Sequence, residues 1–202
     1  MEKKNKILIL FAHPAIHKSR INKRLISILE GVEDVTIRNL YEEYPDYHID
    51  IKREQKSLLE HDIIAWHHPF YWYSSPPILK EWIDLVLEHG FAFGKTGTAL
   101  KGKKVFTCLT TGGNKDAYTE GGNTIYTLRQ LLAPFELTVR LCYMEYLPPF
   151  AVFRTHLMTK EEIEAYANDY KNILISLRDG LFPEEELLGT DYLNDLLSTK
   201  EN

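Results

Sequence analysis

Lys6-Ile7-Leu8-Ile9-Leu10-Phe11-Ala12, running into His13-Pro14-Ala15-Ile16-His17-Lys18-Ser19-Arg20-Ile21-Asn22, changes its hydrophobic period within a few residues. The first run is continuously apolar and β-rich, the pattern of a strand buried on both faces of a parallel sheet. From Ser19, a natural N-cap, the apolar positions Ile21, Leu25, Ile28 and Leu29 recur at helical spacing, and Gly31 supplies a stop. Strand, loop, helix is therefore the opening unit. Lys3, Lys4 and Lys6 ahead of the apolar run imitate a secretory leader, but the run is short and no small-residue cleavage site follows, so a first strand is expected.

The unit repeats outward from there. Strands are expected over residues 35–40, 62–67, 104–110 and 139–147, the last holding Cys142 as Cys108 sits in the fourth. An aromatic-rich loop (Tyr41, Tyr44, Pro45, Tyr47) precedes a polar helix over 50–60. Pro76-Pro77 opens an amphipathic helix through Ile78, Leu79, Trp82, Ile83, Leu85 and Val86, closed by Gly90. A further helix carries Ile125, Leu128, Leu131 and Leu132, and Thr159 with Glu162 forms a capping box for a last helix ending near Arg178. Strands alternating with helices predict a parallel sheet covered on both faces, a three-layer α/β/α fold with five strands. One domain over 1–180, followed by an acidic tail over 181–202, accommodates the 202 residues.

Composition narrows the function. A formal net charge of -5 without a basic cluster speaks against nucleic acid. Two cysteines in apolar runs fit a reducing, cytosolic setting rather than a disulfide framework. No stretch approaches the roughly twenty apolar residues of a membrane span. His67-His68 ends a strand, so its side chains point to opposite faces and cannot chelate one metal; no metal site is expected.

Ligands of parallel sheets bind beyond the carboxyl ends of the strands, which selects three loops. In the first, Ser19 and Asn22 lie one turn apart at a helix start, where free N–H groups attract an anion, although Ser19 is equally read as a plain cap. His13 can donate to the same anion or simply pack. In the second, Phe70-Tyr71-Trp72-Tyr73 offers flat apolar walls to a planar ring, or ordinary packing. In the third, Thr110-Thr111-Gly112-Gly113 can bring backbone N–H groups close to a ligand edge, with Tyr118 supplying a hydroxyl; an ordinary glycine turn with a surface tyrosine is the alternative. The absence of G-x-G-x-x-G, a Walker lysine and a G-x-S-x-G elbow argues against a classical dinucleotide fold, a P-loop and a serine hydrolase.

Taken together these segments resemble the flavodoxin-like NAD(P)H:quinone oxidoreductases and, within them, the KefF-type ancillary proteins of glutathione-regulated potassium efflux. The likeness rests on Ala12-His13-Pro14 with Ser19 and Asn22, on His68 to Tyr73 running into Pro76 to Asp84, on residues 97–103, on Thr110 to Gly113, and on Leu147-Pro148-Pro149-Phe150. It implies a flavodoxin-like fold and FMN, with FAD as the alternative. It also implies His13, Ser19, Arg20, Ile21 and Asn22 around the phosphate, Phe70, Tyr71, Trp72 and Tyr73 along the ring, and Thr110, Thr111, Gly112 and Gly113 at the pyrimidine edge. It further implies two-electron, ping-pong hydride transfer from NADH or NADPH through flavin N5 to a quinone, with Tyr118 as the active-site tyrosine. The larger quinone reductases carry a catalytic histidine a few residues later, where this chain reads Thr119-Glu120-Gly121-Gly122-Asn123. A homodimer and a regulatory role docked on a potassium efflux transporter at the inner membrane follow from the resemblance alone, and it agrees with the cytoplasmic location that the cysteines suggest.

Overall fold

The computed structural model describes residues 4–198. The first half is β1 (Ile7–Phe11), α1 (Arg20–Ser27), β2 (Val35–Asn39), α2 (Leu40–Glu43), α3 (Ile51–Glu60), β3 (Ile63–Pro69), α4 (Pro77–Val86) and β4 (Lys104–Thr110). The second half is α5 (Leu128–Leu131), α6 (Ala133–Leu141), β5 (Glu145–Tyr146), β6 (Phe150–Val152), α7 (Lys160–Arg178), α8 (Glu184–Gly189) and α9 (Asp195–Ser198). All pairings are parallel, in the order β2-β1-β3-β4-β5, with β6 also on β4.

Period-2 alternation splits each central strand between two cores. Ile7, Ile9 and Phe11 face Leu25 of α1 and Ile163, Tyr170 and Leu174 of α7. Leu8 and Leu10 face the opposite layer, with Leu79 and Trp82 of α4 and Val139 of α6. This double burial is why β1 reads as an unbroken apolar run. The chain steps from β1 outward to β2, then returns past β1 to β3, so the winding reverses between β1 and β3 and a crevice opens at their carboxyl ends.

The expected fifth strand over 139–147 is corrected. Pro134 in the first turn starts α6, which carries Val139 and ends at Leu141; Cys142 is its C-cap, and Tyr143 turns the chain at φ 58. Only Glu145–Tyr146 pairs with Lys104–Val105, and pairing resumes at Phe150 opposite Cys108 with the register shifted by one residue. Pro148 and Pro149 lie in that shift; lacking an N–H, they cannot donate to the ladder. The helix expected to carry Ile125 begins instead at Leu128, leaving Ile125 exposed at φ 56. Tyr41, expected in a loop, lies in the short α2.

The acidic segment after Gly180 lies against the sheet. Leu187, Leu193 and Leu196 are buried in the same cluster as α7. Asn194 pairs with the backbone of Ala151 in both directions, at 2.9 and 3.2 Å, and so satisfies part of the outer edge of β6.

Candidate functional site

The carboxyl ends of β1, β3 and β4 lie side by side, with Phe11 opposite His67 and Pro69 opposite Thr110. Beyond them is a cleft of about 370 Å³. Its walls are His13 and Ser19 from the β1–α1 connection, Asn22 from the first turn of α1, Tyr71 from the loop after β3, Thr110 itself, and Thr155 and His156 from the loop after β6.

Ser19 proves to be a helix cap with a hydrogen left over. Its Oγ accepts the backbone N–H of Asn22 at 3.2 Å and the side-chain Nδ2–H of Asn22 at 2.9 Å. Both acceptor positions are occupied, so its own O–H is available to donate. His13 is buried, and its Nδ1 accepts the backbone N–H of Ala15 at 3.1 Å, which assigns the ring proton to Nε2. Burial lowers its pKa, a backbone hydrogen bond opposes that, and His17 adds to the lowering. The result is a neutral imidazole that donates. Lys18 and Arg20 add positive charge at the start of α1, and Arg20 Nη2 donates to Met158 O at 3.0 Å, tying this helix to the Thr155–His156 loop.

The Thr110–Gly113 segment is held from both sides. Thr111 N–H donates to Val152 O at 2.8 Å, while Thr155 N–H and Arg154 N–H donate back to Thr111 O and Gly113 O at 3.1 and 2.9 Å. Close approach explains the glycines. A Cβ on Gly112 would stand 3.1 Å from His156 Nδ1, and one on Gly113 would stand 2.9 Å from Tyr118 Cε2. Tyr118 is buried rather than superficial: its hydroxyl lies 2.6 Å from Thr111 Oγ1 and its ring packs against Phe70 and Phe153.

Of the residues expected from sequence, His13, Ser19, Arg20, Ile21, Asn22, Tyr71 and Thr110 come together around the cleft. Thr111, Gly112 and Gly113 follow Thr110 in the chain, and Tyr118 lies buried behind them on Thr111. Phe70 lies beneath, its N–H donating to Thr110 O at 2.8 Å. Tyr71 meets the His13 ring edge-on at 6.3 Å. Trp72 is 93% exposed and stands clear of the cleft, and Tyr73 leans on Phe70 at 6.4 Å. Ser74 N–H donates to Tyr71 O at 3.0 Å, and Trp72 and Tyr73 between them both have positive φ, 49 and 62, the signature of a type I′ turn.

Sequence reasoning passed over Thr155 and His156. The rule that loops beyond strand ends bind ligands would have selected them, had the last strand been expected to end at Val152 rather than 147. His67 and His68 do point to opposite faces, against Tyr170 and Phe135 respectively.

A family described as having a flavodoxin-like fold matches residues 5–174. A protein of Salmonella newport (strain SL254), the glutathione-regulated potassium-efflux system ancillary protein KefF, is 41% identical over 173 residues, 86% of this chain and 97% of the relative. Among solved structures, the general stress protein 14 of Treponema denticola in complex with FMN superposes with a TM-score of 0.82 at 38% identity, covering 85% of this chain and 99% of the other. An NADPH-quinone reductase from P. pentosaceus gives 0.76 at 30% identity, covering 83% and 96%. A chain named as a thermophilic tryptophan halogenase of Streptomycin violaceusniger gives 0.80 at 40% identity, covering 82% and 96%.

Proposed function

The chain belongs to the flavodoxin-like fold family, and from that premise we propose that it is a flavin-dependent NAD(P)H:quinone oxidoreductase carrying FMN. The observation that carries this reading is the donor set of the cleft. A neutral His13 Nε2–H, the Ser19 O–H left free to donate, and the cations Lys18, just before the cap, and Arg20, first residue of α1, fit a phosphate dianion. Tyr71 extends from it as an aromatic wall and the Thr110–Gly113 backbone as a closely approachable polar edge, although Thr111 N–H is committed to Val152 O and Gly113 N–H to Thr111 Oγ1, and the two suit a flat ring with a polar rim. The relative named as an FMN complex favours FMN over FAD.

When bound, FMN supplies two-electron chemistry, hydride acceptance from a nicotinamide and hydride donation to a quinone. The chain's own residues bind and orient. His13, Ser19, Arg20, Ile21 and Asn22 would hold the phosphate, Tyr71 would border the ring with Phe70 beneath, Thr110 to Gly113 would lie along its pyrimidine edge, and Trp72 and Tyr73, clear of the cleft, would reach the ring only as part of the exposed turn. The Tyr118 hydroxyl, paired with Thr111 Oγ1, holds a proton for a quinone oxygen. The exposed apolar side chains of two loops, Tyr71 to Tyr73 after β3 and Ile125 with Tyr126 before α5, support a homodimer.

The test is the visible spectrum of the purified chain after FMN loading, then anaerobic bleaching by NADH and by NADPH and recovery of colour with a quinone. Failure to retain flavin, or absence of bleaching by either nicotinamide, overturns the reading; chlorination of tryptophan during turnover favours the halogenase name instead. The 41% identity to a KefF protein supports a second role, docking on the cytoplasmic face of a potassium efflux transporter. Among the described residues no helix is long and apolar enough to cross a membrane. Co-purification with such a transporter tests the docking.

A further inference from the structure

Beneath the cleft runs a polar chain ending on a histidine that the proposed reaction does not use. His67, on β3, is fully buried, and its Nε2 lies 3.1 Å from Asn22 Oδ1. Asn22 is 2% exposed, and its Nδ2 lies 2.9 Å from both Ser19 Oγ and Thr110 Oγ1. The His67 ring is clamped edge-on between Phe11 at 5.1 Å and Tyr170 at 5.4 Å, so it cannot turn to serve another group. Its Nδ1 meets no hydrogen-bond partner among the described residues.

Two proton arrangements satisfy these distances, and they have opposite consequences. If His67 carries its proton on Nε2, it donates to Asn22 Oδ1. The Asn22 amide then donates to Ser19 and Thr110, whose hydroxyl hydrogens are free to point into the cleft. If His67 carries it on Nδ1, the amide turns over, Ser19 and Thr110 donate inward to Asn22, and the cleft meets their lone pairs, which repel an anion. The second arrangement buries an orphaned N–H, the first only an orphaned lone pair, and orphaned buried N–H groups are much the rarer. Burial, with His68 and His13 adding to it, holds the His67 pKa down to about 3, so the ring stays neutral.

We propose that His67 is a positioning residue of the anion site: through Asn22 it commits the hydroxyls of Ser19 and Thr110 to donating, and so makes the cleft select a phosphate ester over the uncharged alcohol. This rests on the FMN reading above and extends it to a residue that never touches the ligand. An apolar side chain in its place removes the orphaned Nδ1 but takes from the buried Asn22 Oδ1 its donor, and the amide is then free to turn over.

Titration of the full-length apoprotein with FMN and with riboflavin tests this without any turnover. The wild-type chain is expected to prefer FMN. His67→Leu should shrink the FMN-to-riboflavin preference about tenfold, the scale of one charge-assisted hydrogen bond. His67→Gln, whose amide can still donate to Asn22, should retain the preference within about threefold. Thr110→Val should weaken FMN in the wild type but add little in His67→Leu, since the two act through one array. Should His67→Leu not fold, His67→Asn, too short to reach Asn22, carries the same test. An unchanged preference in His67→Leu or His67→Asn, or equal weakening of both ligands, overturns the proposal. A wild-type chain that binds neither flavin overturns the functional reading itself, and this inference with it.

Discussion

Trp72→Asn should make the chain more stable and less active. Trp72 has φ 49 in a two-residue turn closed by the Tyr71–Ser74 bridge. An L-residue in the left-handed region costs roughly 1–2 kcal/mol, and asparagine is several-fold enriched there. At 93% exposure the indole contributes almost no packing to the fold, so little offsets the relief. The net gain is about 0.5–1.5 kcal/mol, which for a domain of this size raises the melting temperature by roughly 1–6 °C. Strain of this kind is kept where a side chain must be presented, so quinone turnover should fall in the same variant. Circular-dichroism melts and steady-state kcat/KM of the FMN-loaded protein read the two effects. The oligomeric state is recorded alongside, because loss of a partner contact would act in the opposite direction. An unchanged or lowered melting temperature at constant oligomeric state refutes the strain; a raised one with undiminished turnover refutes the function of the turn.

Three further outcomes are expected. Burial lowers the pKa of His67 to about 3 and of His68 to about 4, against 6.5 when unfolded. The unfolded chain therefore binds protons first, and this stability is complete above pH 6.5 and lost as pH falls toward 4 and 3. The slope is about 1.4 kcal/mol per pH unit for each ring, and a urea midpoint that stays flat between pH 7 and about 4.5 contradicts it. Glu54 is fully buried among Arg38 at 2.6 Å, the Tyr44 hydroxyl at 2.6 Å and Trp82 Nε1 at 2.8 Å. Glu54→Ala should cost about 3 kcal/mol in urea unfolding, the lower end for a broken buried pair, because Arg38 keeps its bonds to Glu43. A stop after Gly180 uncovers the faces that Leu187, Leu193 and Leu196 bury, and should lower stability by roughly 2–4 kcal/mol after the ordering entropy of the segment is allowed for; an unaltered melt would show that the segment contributes nothing.

The site was legible where chemistry is local. Ser19 three residues before Asn22 at a helix start, and paired glycines after a strand, carry their meaning in adjacent residues. Tyr118 was legible as a residue of interest but not in its setting, since only packing against Phe70 and Phe153 shows that its hydroxyl belongs to Thr111. Thr155 and His156 stayed hidden because the apolar run over 139–147 fits a strand or a helix equally well, and choosing strand ended the sheet too early. From sequence, His67 is weighed only as a metal ligand; it is buried, and its bond to Asn22 joins residues 45 positions apart, which no local pattern encodes.

What the amino-acid order settled by itself was the alternation of strands and helices, the parallel sheet and the three loops at its carboxyl ends, because hydrophobic period and capping act over a few residues. What tertiary structure alone decided was the split of the fifth strand around Pro148 and Pro149, the burial of the acidic segment, and the direction in which the hydroxyls beneath the cleft donate. Those depend on which distant side chains share one dry space, where each donor must find an acceptor or leave a neighbour unmet.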